Sequence, residues 1–240
     1  MNIQPVNENT LIIYFSESIE TAVADKIARV IPFLRQHLGS YIIDVIPSYT
    51  SILITIDLIK IGLREIINKI TYFKSYIDAL TIVNESYNEI IIPVYYGLEV
   101  AWDAENLTRH SSLPFEKIIE IHSTTVYRVY AIGFAPGFAY LGNTDPRIAI
   151  PRQSTPRMKV PAGSVAIADQ QTAIYPRESP GGWQIIGRTP IELIDYQREN
   201  LCLFEMGALI RFQPITKEKF ISLGGILNTS DSNLISSTKG

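Results

Sequence analysis

Glycine, proline and arginine recur closely between positions 133 and 188, and these residue types together suit the binding of an anion. The segment reads GFAPGFAYLG at 133–142, PRQSTPRMKVPAGS at 151–164 and SPGGWQIIGR at 179–188. Glycine lets a backbone approach a ligand closely because it carries no Cβ, and proline stiffens a loop before anything binds to it. The same composition is typical of the corners of a β-barrel, so both interpretations stay open.

Positive charge is concentrated in the same part of the chain. Seven basic and four acidic residues lie between Glu120 and Arg188, whereas the whole chain of 240 residues has a net charge of -3. The guanidinium group of arginine offers a fork of N–H donors to a carboxylate or a phosphate. The pattern favours an anion-accepting surface, with a solvated basic face as the alternative. The overall negative charge provides no general signal for nucleic-acid binding.

Few residues suggest direct proton transfer or metal chemistry. Among the three histidines, His122 directly precedes the glycine-rich segment, and it is the candidate catalytic residue; a purely structural role for it stays open. No G-x-S-x-G, H-E-x-x-H or Walker A motif occurs. The single cysteine, Cys202, excludes an internal disulfide framework and any multi-cysteine metal site, and no metal site is predicted.

The elements before residue 90 alternate between strand-like and helix-like patterns. Apolar residues at intervals of three and four predict one helix over 19–38, ending at Gly39, and a second over 63–77. Pro32 lies inside the first helix and indicates a kink or an early break. Short apolar runs predict strands at 11–15, 41–46, 51–56 and 89–94. The order βαββαβ predicts a small ferredoxin-like α/β domain over residues 1–90.

The elements after residue 90 follow a different pattern. Two short helices are expected first, one starting after Asp103 and one after Ser112. Short apolar runs separated by glycine and proline then predict a closed or nearly closed β-barrel, with a frayed tail at 227–240. The fold class is therefore α+β, with domains 1–90 and 91–240. No apolar run is long enough to span a membrane, so a cytoplasmic protein without a membrane partner is expected.

Several separated blocks of sequence resemble one known family. They are YRVY at 127–130, GFAPGFAYLG at 133–142, DPR at 145–147, PR at 151–152, TPR at 155–157, VPAGSVAI at 160–167, IYP at 174–176 and SPGGWQIIGRTP at 179–190. In this order they are similar to the family that contains the B subunit of ATP-dependent 5-oxoprolinase (PxpB), the kinase inhibitor KipI and the so-called allophanate hydrolase subunit 1. The similarity covers most of residues 90–215.

The resemblance implies a cyclophilin-like C-terminal barrel and a heteromeric hydrolase. Its partners would be a C subunit of the KipA-like type and an A subunit, and this chain alone would be inactive. The complex would open the lactam ring of 5-oxo-L-proline to L-glutamate with hydrolysis of ATP, the implied cofactor, with Mg²⁺ as a further option held by the complex. Two blocks depart from the family pattern: YGLE at 96–99, where YGGE is frequent, and QQTA at 170–173, where GQTG is frequent.

The resemblance also implies which residues form the binding site. The residues expected to bind substrate or ATP are Gly137, Tyr140, Arg152, Arg157, Lys159, Gly163, Gly181, Gly182 and Trp183. The alternative function is inhibition of a sensor histidine kinase in the manner of KipI, through an exposed aromatic patch of Phe134, Phe138 and Tyr140. Urea-like substrates and prolyl isomerase activity are more distant alternatives, because a fold does not determine a function.

Overall fold

The structure is a computed structural model that describes residues 1–18, 20–80, 89–198 and 201–227. Ile19 of the first predicted helix and residues 228–240 of the predicted tail lie outside the described residues. The chain divides into two compact units, Met1–Ser86 and Tyr87–Gly240.

The first unit contains a four-stranded antiparallel sheet in the order β1-β2-β4-β3. The strands are β1 (Asn2–Pro5), β2 (Thr10–Tyr14), β3 (Ile42–Pro47) and β4 (Ser51–Ile56). Alternate residues of β4, Ile52, Ile54 and Ile56, are fully buried. This period of two is the reason that the apolar run forms a strand with one face in a core.

The helices of the first unit place apolar stripes in its core. They are α1 (Thr21–Leu38), α2 (Leu63–Tyr72) and α3 (Lys74–Ala79). Helix α1 buries Ile27, Val30 and Leu34 and runs through Pro32 without ending there. Gly39 follows α1 as predicted, but with right-handed φ and ψ of -55° and -31°, because the chain continues into a 3-10 turn over Gly39–Tyr41.

The predicted ferredoxin-like order of the first unit is not confirmed. The predicted fourth strand, β5 (Glu89–Val94), has the expected bounds but belongs to the second unit, where it pairs in parallel with another strand. Its place in the first sheet is taken by β1, which pairs with β2. β1 is polar and mostly exposed, so its sequence carries no buried-strand pattern. The predicted domain boundary at residue 90 accordingly falls inside β5.

The second unit contains a seven-stranded sheet in the order β12-β9-β10-β7-β6-β13-β5. Besides β5, its strands are β6 (Tyr127–Ile132), β7 (Ala139–Gly142), β9 (Ser164–Ala168), β10 (Gln171–Ile174), β12 (Gln184–Arg188) and β13 (Leu209–Pro214). A separate antiparallel pair joins β8 (Arg157–Val160) to β11 (Ser179–Gly181). One of the short apolar runs after residue 90, at 191–194, contributes only an isolated bridge between Ile194 and Cys202.

The two edges of the seven-stranded sheet meet, which confirms the predicted closed or nearly closed barrel. Tyr95, directly after β5, and Arg188, at the end of β12, exchange two backbone hydrogen bonds of 2.8 Å each. A Cβ at Gly187 would lie 2.8 Å from the carbonyl oxygen of Tyr95. The strands can approach this closely because residue 187 has no side chain.

Three helices accompany the barrel among the described residues of the second unit. They are α4 (Ala104–Ser111), α5 (Phe115–Thr124) and α6 (Lys217–Ser222). Helix α4 begins after Asp103 as predicted, whereas α5 begins after Pro114 rather than Ser112. Within the ranges that the structure describes, no helix is long and apolar enough to cross a membrane.

Candidate functional site

An aromatic wall occupies one side of the barrel and includes two of the predicted site residues, Tyr140 and Trp183. The ring of Phe138 lies 5.7 Å from that of Trp183 and 5.0 Å from that of Tyr140, both in edge-to-face arrangements. Trp183 is 5% exposed. Edge-to-face contacts fix the orientation of aromatic rings, so the indole of Trp183 is held in a defined position.

The predicted residue Arg152 covers this wall. Its guanidinium carbon lies 5.5 Å from the centre of the Trp183 ring, while the side chain itself is exposed. A cation over an aromatic face is stabilised by the ring quadrupole. The contact therefore positions the charge of Arg152 and leaves its N–H donors accessible.

Asp103 organises the loop that carries Arg152. Its carboxylate is buried and accepts hydrogen bonds from Gln153 Nε2 and Arg157 Nη2, both at 2.6 Å, and from the backbone N–H of Ile185 at 2.7 Å. A buried carboxylate requires such compensation. Asp103 stands at the start of α4, as predicted, but its side chain does not cap the helix. Instead, its hydrogen bonds connect the loop before β8 to strand β12.

Carboxamide side chains extend this network. Gln153 Nε2 lies 3.4 Å from Gln184 Oε1, and Gln184 Nε2 donates to the carbonyl oxygen of Pro151 at 3.0 Å. Asn106 Oδ1 accepts from Arg109 Nη2 at 2.5 Å. These bonds hold the amide groups in place, so the network is preorganised for polar ligands.

The network borders an open cavity at the protein surface with a volume of about 550 Å³. We call it the polar cavity. It is lined by Asn106, Arg109, His110, Ile150, Pro151, Arg152, Gln153, Ser154 and Gln184.

Arg157 and Lys159 have partners on the protein itself. Besides its bond to Asp103, the Arg157 guanidinium carbon lies 5.7 Å from the centre of the Trp102 ring. Lys159 forms an exposed ion pair with Glu178 at 3.5 Å. The structure thus uses Arg157 as an anchor of the loop and leaves Arg152 as the more available cation.

The predicted glycines occupy several separate places. A Cβ at Gly137, Gly163 or Gly181 would lie 2.7 Å or less from the protein's own atoms, and the first two residues have φ of 76° and 78°. For these three glycines the barrel-corner interpretation therefore accounts for the residue type. A Cβ at Gly182 would meet nothing closer than 3.6 Å, and its carbonyl oxygen accepts from the N–H of Gln153 at 2.7 Å.

His122 lies in the core rather than at a cavity. Its Nε2 is 3.0 Å from Thr172 Oγ1, and its Nδ1 is 2.8 Å from the hydroxyl of Tyr96. The hydroxyl of Thr172 donates to the carbonyl oxygen of Ala166, so Nε2 of His122 must carry the proton and Nδ1 must accept from Tyr96. Burial lowers the pKa of His122 to about 3. This geometry favours the structural role over proton transfer.

The aromatic patch predicted for a kinase partner is only partly exposed. Phe134 is 65% exposed and has a left-handed φ of 72°, whereas Phe138 is buried and Tyr140 is half-buried. A bulky residue with positive φ is strained. Phe134 is therefore the one member of the three that stands out from the surface.

Sequence reasoning missed several residues of the site. Gln153 and Gln184 directly follow the predicted Arg152 and Trp183 in sequence, and this position next to predicted site residues could have identified them. Asp103 and Arg109 carried no such signal, because they lie on another segment and only the fold brings them to the site.

Comparison with known proteins links this chain to a family of carboxyltransferase domains. Residues 1–204 match the family described as carboxyltransferase domain, subdomain C and D. The 5-oxoprolinase B subunit of Bacillus subtilis (strain 168) is 32% identical over 228 residues, which cover 91% of this chain and 94% of that protein.

Solved structures show the same likeness. The crystal structure of TTHA0988 matches 86% of this chain at 27% identity with a TM-score of 0.74, and the chain spans 40% of that protein. The urea carboxylase of Kluyveromyces lactis matches 95% of this chain with a TM-score of 0.71, and the chain spans 23% of that protein. At 17% identity, the second match shows a similar fold alone.

Proposed function

The chain belongs to the carboxyltransferase subdomain C and D family and, within it, to the group of 5-oxoprolinase B subunits, and on that premise we propose that it is a subunit of an ATP-dependent 5-oxoprolinase. The proposed reaction opens 5-oxo-L-proline to L-glutamate with hydrolysis of ATP. The proposed partners are a C subunit of the KipA-like type and an A subunit, without which this chain is inactive. We also infer that the barrel is of the cyclophilin-like kind.

One observation carries the proposal: a preorganised cation and fixed carboxamides border the same cavity. Arg152 is held over Trp183, and Gln153 and Gln184 hydrogen-bond beside it. 5-Oxoproline presents a carboxylate and a cyclic amide, and these groups are complementary to a guanidinium and to carboxamide side chains. The nearly full-length match to a 5-oxoprolinase B subunit supports the same substrate class.

Each residue has a defined task in this proposal. Arg152 binds the substrate carboxylate, and Gln153 and Gln184 orient the lactam. Asp103 keeps Gln153 in place through the 2.6 Å hydrogen bond. When the ring C–N bond breaks, the nitrogen becomes the amino group of glutamate. Because the original amide oxygen would leave with the phosphoryl group of ATP, two water molecules supply the two oxygens of the new carboxylate.

ATP would supply the phosphoryl group that makes the amide oxygen a leaving group. The basic residues of the polar cavity fit phosphoryl oxygens, since arginine donates to them in a fork. For Mg²⁺, no group of three or more carboxylate, histidine or cysteine ligands occurs among the described residues. We therefore assign any Mg²⁺ ligands to the complex as a whole.

The direct test is reconstitution with the two partner subunits. The chain is co-expressed with A-type and C-type subunits from neighbouring genes, and ATP hydrolysis is measured with and without 5-oxoproline. We expect stimulation by 5-oxoproline in the complex and none with this chain alone. If 5-oxoproline does not stimulate ATP hydrolysis by a correctly assembled complex, the proposed substrate is wrong. Assays with urea and other lactams would then identify the amide that the complex uses.

Phe134 supports the alternative function, a KipI-like inhibitor of a sensor histidine kinase. Phe134 is 65% exposed and its backbone has a left-handed φ, and strained backbone of this kind recurs at functional sites. Inhibition of kinase autophosphorylation by the chain, abolished by Phe134→Ala, is the result this alternative requires. An unchanged autophosphorylation rate at micromolar excess of the chain would exclude it.

A further inference from the structure

We propose that the polar cavity binds a small oxyanion, a carboxylate or a phosphoryl group, between Arg152 and a second arginine, Arg109 of helix α4. Arg109 is in the last turn of α4, and Arg152 is in the loop that Asp103 fastens. The inference deepens the proposed function and rests on it only for the identity of the carboxylate. It adds a second binding residue on a segment that no motif marks.

The charges around the cavity are unbalanced in favour of an anion. Its lining includes Arg109, His110 and Arg152 and contains no aspartate or glutamate among the described residues. Asp103, which lies beneath the lining, is already paired with Arg157 at 2.6 Å. Its charge is therefore not available to neutralise either lining arginine.

Each lining arginine contacts only neutral groups within the described part of the chain. Arg109 donates to the amide oxygen of Asn106, and Arg152 lies over the ring of Trp183. Both side chains are exposed, so their remaining donors can reach a ligand. Charge-assisted bonds from two guanidinium groups are much stronger than bonds from neutral donors.

A solvated basic helix end does not account for this arrangement. Basic residues in a last turn do stabilise a helix through its dipole, and Arg109 alone would fit that explanation. Arg152, however, comes from a different segment and lines the same cavity. The amide groups of Gln153 and Gln184, which line the same cavity, are held by Asp103 and by each other, as expected for a preorganised wall.

Backbone amide NMR on the full chain tests the proposal with three probes. Inorganic phosphate supplies a phosphoryl oxyanion, 5-oxoproline supplies a carboxylate, and 2-pyrrolidone is the same lactam without a carboxylate. We expect at least one of the two anions, and not 2-pyrrolidone, to shift the amide signals of residues 106–110, 150 and 152–154. Arg109→Gln and Arg152→Gln should each weaken anion binding at least about tenfold.

The control is Arg147→Gln, which removes the same charge from an exposed pair with Asp145 and should leave binding unchanged. If neither anion shifts these signals, or if Arg109→Gln binds as tightly as the unaltered chain, the proposal is wrong. A different result would show that the proposed function is wrong while the anion site is real. In that case the isolated chain still binds an anion at Arg109, while ATP hydrolysis by the assembled complex does not respond to 5-oxoproline.

Discussion

The carboxylate of Asp103 holds the guanidinium of Arg157 at 2.6 Å although 54 positions separate the two residues in sequence. The same carboxylate binds Gln153 and the backbone N–H of Ile185. One buried charge therefore connects the start of α4, the loop before β8 and strand β12. The geometry of Arg152 depends on that connection, because Arg152 precedes Gln153 directly.

Asp103→Asn should destabilise the second unit and disturb the site. The amide removes the charge that compensates Arg157 and one acceptor, and the cost should be about 2 kcal/mol since Arg157 is partly exposed. In the assembled complex, KM for 5-oxoproline should rise by a larger factor than kcat falls, because the loop is mispositioned rather than the chemistry removed. Urea unfolding and steady-state kinetics measure the two effects.

The control for this change is Asp145→Asn, which weakens a bidentate but more exposed pair with Arg147 and should cost about 1 kcal/mol or less. Arg157→Gln added to Asp103→Asn should cost less than Arg157→Gln alone, since the two residues are coupled. Additive effects of the two substitutions would show that the pair does not stabilise the loop.

His122 should make stability depend on pH. Burial lowers its pKa in the folded chain to about 3 from an ordinary value of 6.5, so between these values only the unfolded chain takes up the proton. The contribution of His122 to stability is therefore complete above pH 6.5 and declines by about 1.4 kcal/mol per pH unit as the pH falls towards 3.

His122→Gln removes this titration while keeping a polar side chain. We expect the variant to lose less stability than the unaltered chain between pH 7 and pH 4.5, as measured by the urea midpoint. His37→Gln, at an exposed position of the first unit, should keep the original pH dependence. If the free energy of unfolding changes equally steeply with pH in His122→Gln and in the unaltered chain, His122 is accessible to protons in the folded state.

Gly187→Ala should weaken the closure of the barrel. The new Cβ would lie 2.8 Å from the carbonyl oxygen of Tyr95, and backbone cannot move aside as a flexible side chain can. We expect a loss of about 2 kcal/mol in the free energy of unfolding, measured by urea or thermal unfolding. Gly133→Ala is the matched control in the same unit, because a Cβ there meets nothing within 4 Å. Equal stability of the two variants would contradict the importance of the Tyr95–Arg188 pairing.

Several strands could be predicted from the sequence because their pattern is local. The runs Ser51–Ile56 and Glu89–Val94 have the predicted bounds. The strand Asn2–Pro5 was missed because it is polar and mostly exposed, so alternation carried no signal. Arg152 and Trp183 were predicted as site residues, and the structure places the guanidinium of Arg152 over the ring of Trp183, whereas Asp103 was predicted only as the residue before a helix.

The sequence by itself determined most of the local elements, the basic character of residues 120–188 and the family. These properties depend on residue type and on short spacings, which the chain carries whatever its path. Only the tertiary structure decided that Glu89–Val94 joins the barrel and that Asp103 meets partners 50, 54 and 82 positions away. A strand can pair with any exposed edge, and a carboxylate can bind any donor. The choice among them therefore depends on how the whole chain buries its apolar surface while satisfying its buried polar groups.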